Sequence, residues 1–231
     1  MIEKILTNRF SILYLLPFLL GSSTVLSFAP FNFTIINFIV FPLFFYLINF
    51  INKKSKSVYR IKPHRKNLFI FGTFFGFGFY FSGLHWIVNS LTFDENFKIL
   101  IPFGLIFIPL FLSLFISLTV IIIGPYLKLN MPSIFLFSSS FALSDYIRAK
   151  ILTGFPWNLW AYSFSWATEF LQVLNHIGLF AFNLIIITIF MIPSVFFFNI
   201  NFKKKISIIL LSSLMIFLVS IYGNFSLNKN D

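Results

Sequence analysis

The sequence predicts an all-α integral membrane protein: a bundle of about seven transmembrane helices with one irregular, Trp-rich loop. Three observations carry that prediction. The 231 residues are 58% hydrophobic and only 10% charged, with a mean hydropathy of +0.93, whereas ordinary soluble domains are about a quarter charged. The apolar residues lie in long runs without the polar–apolar alternation of a membrane barrel, so the spans are helices. Basic residues gather in the breaks between runs, as they do in cytoplasmic loops. Residues 1–231 read as a single transmembrane domain with no soluble domain.

The first apolar run covers residues 10–29, behind Lys4 and Arg9. It exceeds a signal-peptide core and further spans follow, so it reads as an uncleaved helix. Ala29-Pro30-Phe31-Asn32 makes a tight turn, and residues 33–51 return as a second span that Pro42 is expected to kink. Residues 52–67 hold Lys53, Lys54, Lys56, Arg60, Lys62, Arg65 and Lys66. Between two spans this reads as a cytoplasmic topology signal, not a nucleic-acid surface. Residues 68–91 form the third span. Gly72, Gly76 and Gly83 fall within about 40° of one another at 100° per residue, a smooth stripe for close helix approach. Their spacing is not that of a phosphate loop, and no P-loop lysine follows. His85, Trp86, Asn89 and Ser90 close this span, ahead of Asp94 and Glu95.

Residues 99–123 make the fourth span, with Pro102 and Pro109 in its first half and Gly124-Pro125 and Lys128 at its end. The fifth, residues 131–147, closes on Asp145 and Arg148. These are three apart, hence neighbours on a helix, and read as a neutralised structural pair rather than a catalytic dyad. The next stretch, Thr153-Gly154-Phe155-Pro156-Trp157-Asn158-Leu159-Trp160-Ala161-Tyr162-Ser163, holds two of the four tryptophans. Gly154 and Pro156 bar a plain helix, and bent backbone at membrane depth is tolerated only inside protein or against water. Trp157, Trp160 and Tyr162 join apolar rings to polar tips, which suits the headgroup level. Two readings stay open: an interfacial loop with an aromatic belt, or a half-buried loop lining a lipid entrance. Residues 170–199 form a long sixth span with His176, Gly178 and Asn183. After Lys203, Lys204 and Lys205, residues 206–222 make the seventh.

With the N-terminus inside, 13 of the 17 Lys and Arg residues fall in cytoplasmic segments, and most of the six acids fall outside. The bias fits the positive-inside rule. It predicts a cytoplasmic N-terminus and sets the Trp-rich loop, the His85 end of the third span and the C-terminus on the opposite face. Zero cysteines exclude disulfides, thiolate nucleophiles and thiolate metal sites within these residues. His64, His85 and His176 are too dispersed for a metal motif, and no metal or cofactor is expected. The 38 phenylalanines read as AT-rich codon usage rather than as an aromatic mechanism.

Three stretches coincide in order and spacing. Leu26-Ser27-Phe28-Ala29-Pro30-Phe31 follows the first span, and Gly76-Phe77-Gly78-Phe79-Tyr80-Phe81-Ser82-Gly83-Leu84-His85-Trp86-Ile87 closes the third. Asp145 and Arg148 precede Leu152-Thr153-Gly154-Phe155-Pro156-Trp157, with Tyr162-Ser163 behind. Together they resemble the membrane domain of the bacterial apolipoprotein N-acyltransferases, over residues 12–222. The resemblance implies a multi-pass protein of the bacterial inner membrane, with its irregular loop in the periplasm. It also implies a substrate face of His85, Trp86, Arg148, Thr153, Gly154, Phe155, Pro156, Trp157 and Tyr162. Arg148 is expected to pair a lipid phosphate and Trp157 to pack against acyl chains. One departure is Phe180, where family members often carry a polar or acidic residue.

In the family, a nitrilase-like domain with a Glu-Lys-Cys triad takes an acyl chain from a phospholipid. It passes the chain to the N-terminal cysteine of an apolipoprotein during lipoprotein maturation. These 231 residues contain no cysteine, so no catalytic residue is nominated and the chain is expected to be inactive alone. The expected partners are membrane phospholipid, an apolipoprotein substrate and a separate nitrilase-like catalytic polypeptide; nucleic acid is not among them. Two alternatives are a decayed or truncated acyltransferase without activity and a small transporter or scaffold. The second is disfavoured because charges cluster at span ends and no internal repeat is seen.

Overall fold

The computed structural model of the chain describes residues 8–55, 63–151 and 154–228. Lys4, Lys56, Arg60, Lys62, Thr153, Lys229 and Asp231 lie outside the described residues. Among the described residues all regular structure is helical. A π-helical turn, Ser11–Leu15, enters α1 (Leu16–Thr24), and α2 (Asn37–Ser55), α3 (Pro63–Leu84), α4 (Ile101–Ile123) and α5 (Met131–Arg148) follow. A short α6 (Thr168–Leu171) then precedes α7 (Leu174–Met191) and α8 (Phe202–Asn228). Among the described residues, five helical segments are long and apolar enough to cross a membrane: Thr34–Lys53, His64–Thr92, Glu95–Tyr126, Leu174–Phe197 and Phe202–Asn228. The expected first and fifth spans are helical but outside that set. The first, Ser11–Ser27, is shorter, and α5 is interrupted by serines, Asp145 and Arg148. The chain is a multi-pass, all-α membrane protein. Pro42 lies inside α2, and the helix runs through it.

The helices sort into two compact units, and α2 gives residues to both. The first unit takes residues up to Val25 and Leu47–Pro125. Its centre is α3, which small residues let two other helices approach. A Cβ added at Gly72 would stand 2.9 Å from Ser117 Cα, and one at Gly76 would stand 2.9 Å from Ser113 Cα. The glycine stripe read from the sequence is therefore the α3–α4 contact at these two positions, where absent side chains let backbones pack closely. The hydroxyls of Thr73 and Ser117 add a hydrogen bond of 2.8 Å across it. Elsewhere on α3, any side chain at Gly21 would overlap the Phe75 carbonyl, and one at Gly78 would overlap that of Phe18. That α1–α3 seam, with Ser22 Oγ donating to the Gly78 carbonyl at 3.2 Å, was not among the sequence expectations. Beyond α3 the chain tightens into 3-10 turns, His85–Thr92 and Glu95–Leu100. Asp94 caps the second of these by accepting from the Asn96 amide at 2.9 Å.

The second unit comprises Leu26–Tyr46 and the chain from Tyr126 onward. It opens on the expected turn, where the amides of Phe31 and Asn32 both donate to the Phe28 carbonyl at 3.0 Å. Asn32 sits at φ 57, a conformation Asn tolerates better than most residues. The core is aromatic. Phe41 meets Trp160 edge-on at 4.8 Å between centroids and Phe190 at 5.4 Å, while Phe137 stacks on Phe141 at 4.3 Å. These offset and edge-to-face arrangements are the ones ring quadrupoles favour. The sixth span differs from expectation. Residues 170–199 are not one helix: α6 and a turn come first, and Gly178 at φ 76, ψ 168 then interrupts α7. A positive φ cannot continue the i→i−4 ladder, and glycine reaches it without Cβ strain.

Candidate functional site

Asp145 and Arg148 occupy the last turn of α5, one helical neighbour apart, so their side chains meet. Arg148 Nη2 donates to Asp145 Oδ1 at 3.1 Å. The second carboxylate oxygen accepts from Asn183 Nδ2 on α7 at 2.9 Å. Asn183 Oδ1 in turn accepts from the Ala161 amide at 2.9 Å. Arg148 Nη1 donates to the carbonyls of Phe155 at 2.6 Å and Trp157 at 2.8 Å. One charged pair and one amide thus fasten the bend at both ends, at residues 155–157 and at Ala161. The pair reads as the structural ion pair the spacing predicted. Its charges are buried but partnered, the condition under which burial is tolerated.

The backbone of the bend turns twice through left-handed conformations, once just before the first anchor and once between the two. Gly154 has φ 83, its amide donates to the Ile151 carbonyl at 3.0 Å, and an added Cβ would overlap the Ala149 carbonyl. Asn158 has φ 56. Between the two turns Pro156 and Trp157 face outward, and Trp157 is 54% exposed. After the second turn the chain dives: Leu159 is 0% and Trp160 2% exposed. Burial raises the Tyr162 phenol above its ordinary range, opposed by the nearby Arg148 charge.

The sequence-derived site residues separate in this geometry. Phe155, Pro156, Trp157 and Tyr162 stand on the bend, with Gly154 as its hinge; Thr153 lies outside the described residues. Arg148, expected to pair a lipid phosphate, is 1% exposed, with Nη2 turned onto Asp145 and Nη1 onto the carbonyls of Phe155 and Trp157. Trp160 likewise leaves the expected interfacial belt for the aromatic core. His85 and Trp86 belong to the first unit, both exposed. His85 Nδ1 bonds to the Ser82 carbonyl at 2.9 Å, and Trp86 Nε1 donates to the Gly83 carbonyl at 3.1 Å.

Two further groups were given no role in the sequence reading. Asn183 is the link between α7 and the bend; an amide inside an otherwise apolar span was the available signal. Trp166 Nε1 donates to Thr34 Oγ1 at 2.8 Å and to the Ser163 carbonyl at 3.1 Å, and Thr34 Oγ1 donates to that same carbonyl at 2.8 Å. This tie fixes the far side of the bend. The bend thus carries the exposed Trp157 indole and Pro156 ring on a backbone hydrogen-bonded to Arg148 and Asn183.

Residues 20–192 match the family model described as Apolipoprotein N-acyltransferase N-terminal domain. Several curated relatives named Apolipoprotein N-acyltransferase are similar to the chain. That of Brucella melitensis is 31% identical over 180 residues, 77% of this chain and 33% of the relative. That of Rickettsia bellii is 31% identical over 161 residues, covering 69% and 32%. The Rickettsia typhi protein is 33% identical over 217 residues, covering 92% and 40%. The chain thus spans between a third and two-fifths of the length of these relatives.

Proposed function

Because the chain belongs to the apolipoprotein N-acyltransferase family through its N-terminal domain, we propose that it is the membrane-embedded part of such an acyltransferase. In this reading the donor is a membrane phospholipid and the acceptor is the N-terminal cysteine of an apolipoprotein, so the chain serves lipoprotein maturation. The reactive groups lie outside these 231 residues, which contain no cysteine to form a thioester. A nitrilase-like catalytic part, on a further segment or on a separate polypeptide, completes the enzyme, and the chain by itself is inactive. The protein sits in the bacterial inner membrane, with its N-terminus in the cytoplasm and the bend of residues 154–163 in the periplasm. The distribution of basic residues supports that orientation.

The observation that carries this reading is the bend. Arg148, Asp145 and Asn183 rigidify it from inside, and Trp157 stands 54% exposed on it. A preordered aromatic surface binds apolar chains without the entropy cost of ordering a loop. Trp157, with Pro156 and Phe155, contacts acyl chains or the catalytic part; Tyr162 borders the same bend, and His85 and Trp86 offer a second aromatic and polar pair in the other unit. The test is expression in cells depleted of their own lipoprotein acyltransferase, with mass spectrometry of lipoprotein N-termini. Co-expression with a nitrilase-like catalytic polypeptide restores the third acyl chain, and the 231-residue chain alone does not. Rescue by this chain alone, or no rescue by the pair, contradicts the proposal.

A further inference from the structure

Of the five membrane-length segments, α8 is the least embedded. Only 6% of its most apolar window is buried in protein, against 39% or more for the other four. Along its middle, from Ile208 to Val219, its inner face borders a groove toward α5 and α7. Ser212 on that face donates to the Ile208 carbonyl of its own helix at 2.8 Å, so its hydroxyl takes no hold on a neighbour. Membrane helices associate through close packing and interhelical hydrogen bonds, and the middle of α8 has little of either.

The two ends are fastened instead. Among the described residues, two side-chain hydrogen bonds join α8 to other elements. At the near end Lys205 Nζ donates to the Phe196 carbonyl at 3.0 Å, in the turn that precedes the helix. Residues 198–201 between them are not helical, and Phe198 is extended, with ψ 144. At the far end His176 Nε2 is hydrogen-bonded to the Tyr222 hydroxyl, with ring centroids 5.7 Å apart. The next residue, Gly223, is the one buried position among those described in α8. It faces α6, where an added Cβ would overlap the Glu169 carbonyl. Tyr222 thus bonds to a segment with its own hinge. Gly178, at φ 76, cuts His176 off from the body of α7, and a Cβ added there would meet nothing within 4 Å. On its other side this segment leads back to the bend: Phe170 meets Phe164 at 5.4 Å, and Phe164 stacks on Trp166 at 6.3 Å. Residues 168–177 form a clasp between the bend and the far end of α8.

We propose that α8 is a swinging helix, hinged at residues 198–201 and latched by the His176–Tyr222 bond over the Gly223 notch. Tyr222 lies about 32 Å from the hinge at ~1.5 Å per residue. A rotation of roughly 10° carries it about 5 Å, beyond hydrogen-bond reach, while Lys205 moves only about 1 Å and keeps its partner. The apolar middle slides against lipid at little cost, because lipid tails are as apolar as the groove wall. The latch does not depend on the acyl-transfer reading, nor on which membrane face carries it. The test is pulsed electron-spin distance measurement on the full 231-residue chain in lipid nanodiscs. The chain has no cysteine, so Leu143→Cys on α5 and Phe225→Cys on α8, both exposed positions, take one spin label each. Leu143→Cys with Ile35→Cys, also exposed, is the control pair without α8. One α5–α8 distance dominates in the otherwise unaltered chain. Tyr222→Phe, which removes only the hydroxyl, and His176→Leu each raise the share of a second, longer distance at least threefold, and the double variant adds nothing further. Gly223→Leu, which wedges α8 off the Glu169 carbonyl, makes the longer distance the major one. The control distance stays unchanged throughout, which separates release of α8 from unfolding. An unchanged α5–α8 distance in Tyr222→Phe and Gly223→Leu, or broadening of both pairs together, overturns the proposal.

Discussion

The two units of this protein are held together by opposite means. The first is built on absence: Gly72 and Gly76 bring α3 onto Ser117 and Ser113 of α4, and Gly21 and Gly78 bring α1 onto α3. The second is built on bulk and charge: rings of Phe41, Phe137, Phe190 and Trp160 fill its core, and a buried pair, Asp145–Arg148, closes its edge. In hydrocarbon, apolar side chains gain nothing by leaving lipid for protein, so helices associate through close packing and internal hydrogen bonds. The first unit leans on close packing, supplemented by the Thr73–Ser117 and Ser22–Gly78 hydrogen bonds, and the second fixes its bend through internal hydrogen bonds. The difference teaches where shape is specified. Glycine seams fix helix against helix but say nothing about a loop, whereas a guanidinium with several fixed donors dictates where two carbonyls of a non-helical bend must lie.

The largest way to break this contrast is to remove one member of the buried pair. Arg148→Ala leaves the Asp145 carboxylate uncompensated and strips the bend of two donors, an expected loss of about 3 to 5 kcal/mol. Asp145→Asn combined with Arg148→Gln loses less, since no lone charge remains; thermal unfolding in detergent ranks the two. Gly76→Leu acts on the other unit, forcing α3 away from Ser113 at an expected cost of about 1 to 3 kcal/mol. The exposure of Trp157, read by fluorescence quenching, stays unchanged in that variant. Asn183→Leu removes the link between Asp145 and Ala161; interhelical polar contacts in membranes contribute about 0.6 to 1.7 kcal/mol, and a shift of that size in unfolding is expected. Trp157→Ala is the smallest in stability, within about 0.5 kcal/mol for an exposed side chain. On the proposed function it is nonetheless expected to lower acyl transfer in the complemented cells, because it removes the surface the bend presents.

Much of the first unit could be read from the chain, and less of the second. The apolar runs announced the helices, and the stripe of Gly72, Gly76 and Gly83 announced a close helix seam without saying that α4 is the partner at Gly72 and Gly76. The turn at residues 28–32 followed from Pro30 and Asn32. What escaped was governed by backbone conformation and by partners distant in sequence. Trp157 and Trp160 carry the same indole three residues apart, yet one is exposed and the other buried, because the positive φ at Asn158 lies between them. Gly178 looked like one more small residue in a long span, and only its positive φ makes it a break. The pairing of Arg148 with Asp145 could be read from their spacing, but its two loop acceptors could not, because they are main-chain carbonyls, which every residue possesses and no motif marks.

A cysteine-free chain offers a direct measurement. Leu159→Cys places a single thiol at a position that is 0% exposed behind the Arg148-held bend, and Trp157→Cys places one at the exposed tip. Reaction with a membrane-impermeant maleimide is timed for each, with Arg148 intact and with Arg148→Gln. If the buried network sets the shape of the bend, the Trp157→Cys thiol labels rapidly in both backgrounds. The Leu159→Cys thiol is then protected with Arg148 in place and becomes reactive, by tenfold or more, once it is replaced. Leu159→Cys labelling at the same rate with and without Arg148 would contradict the account.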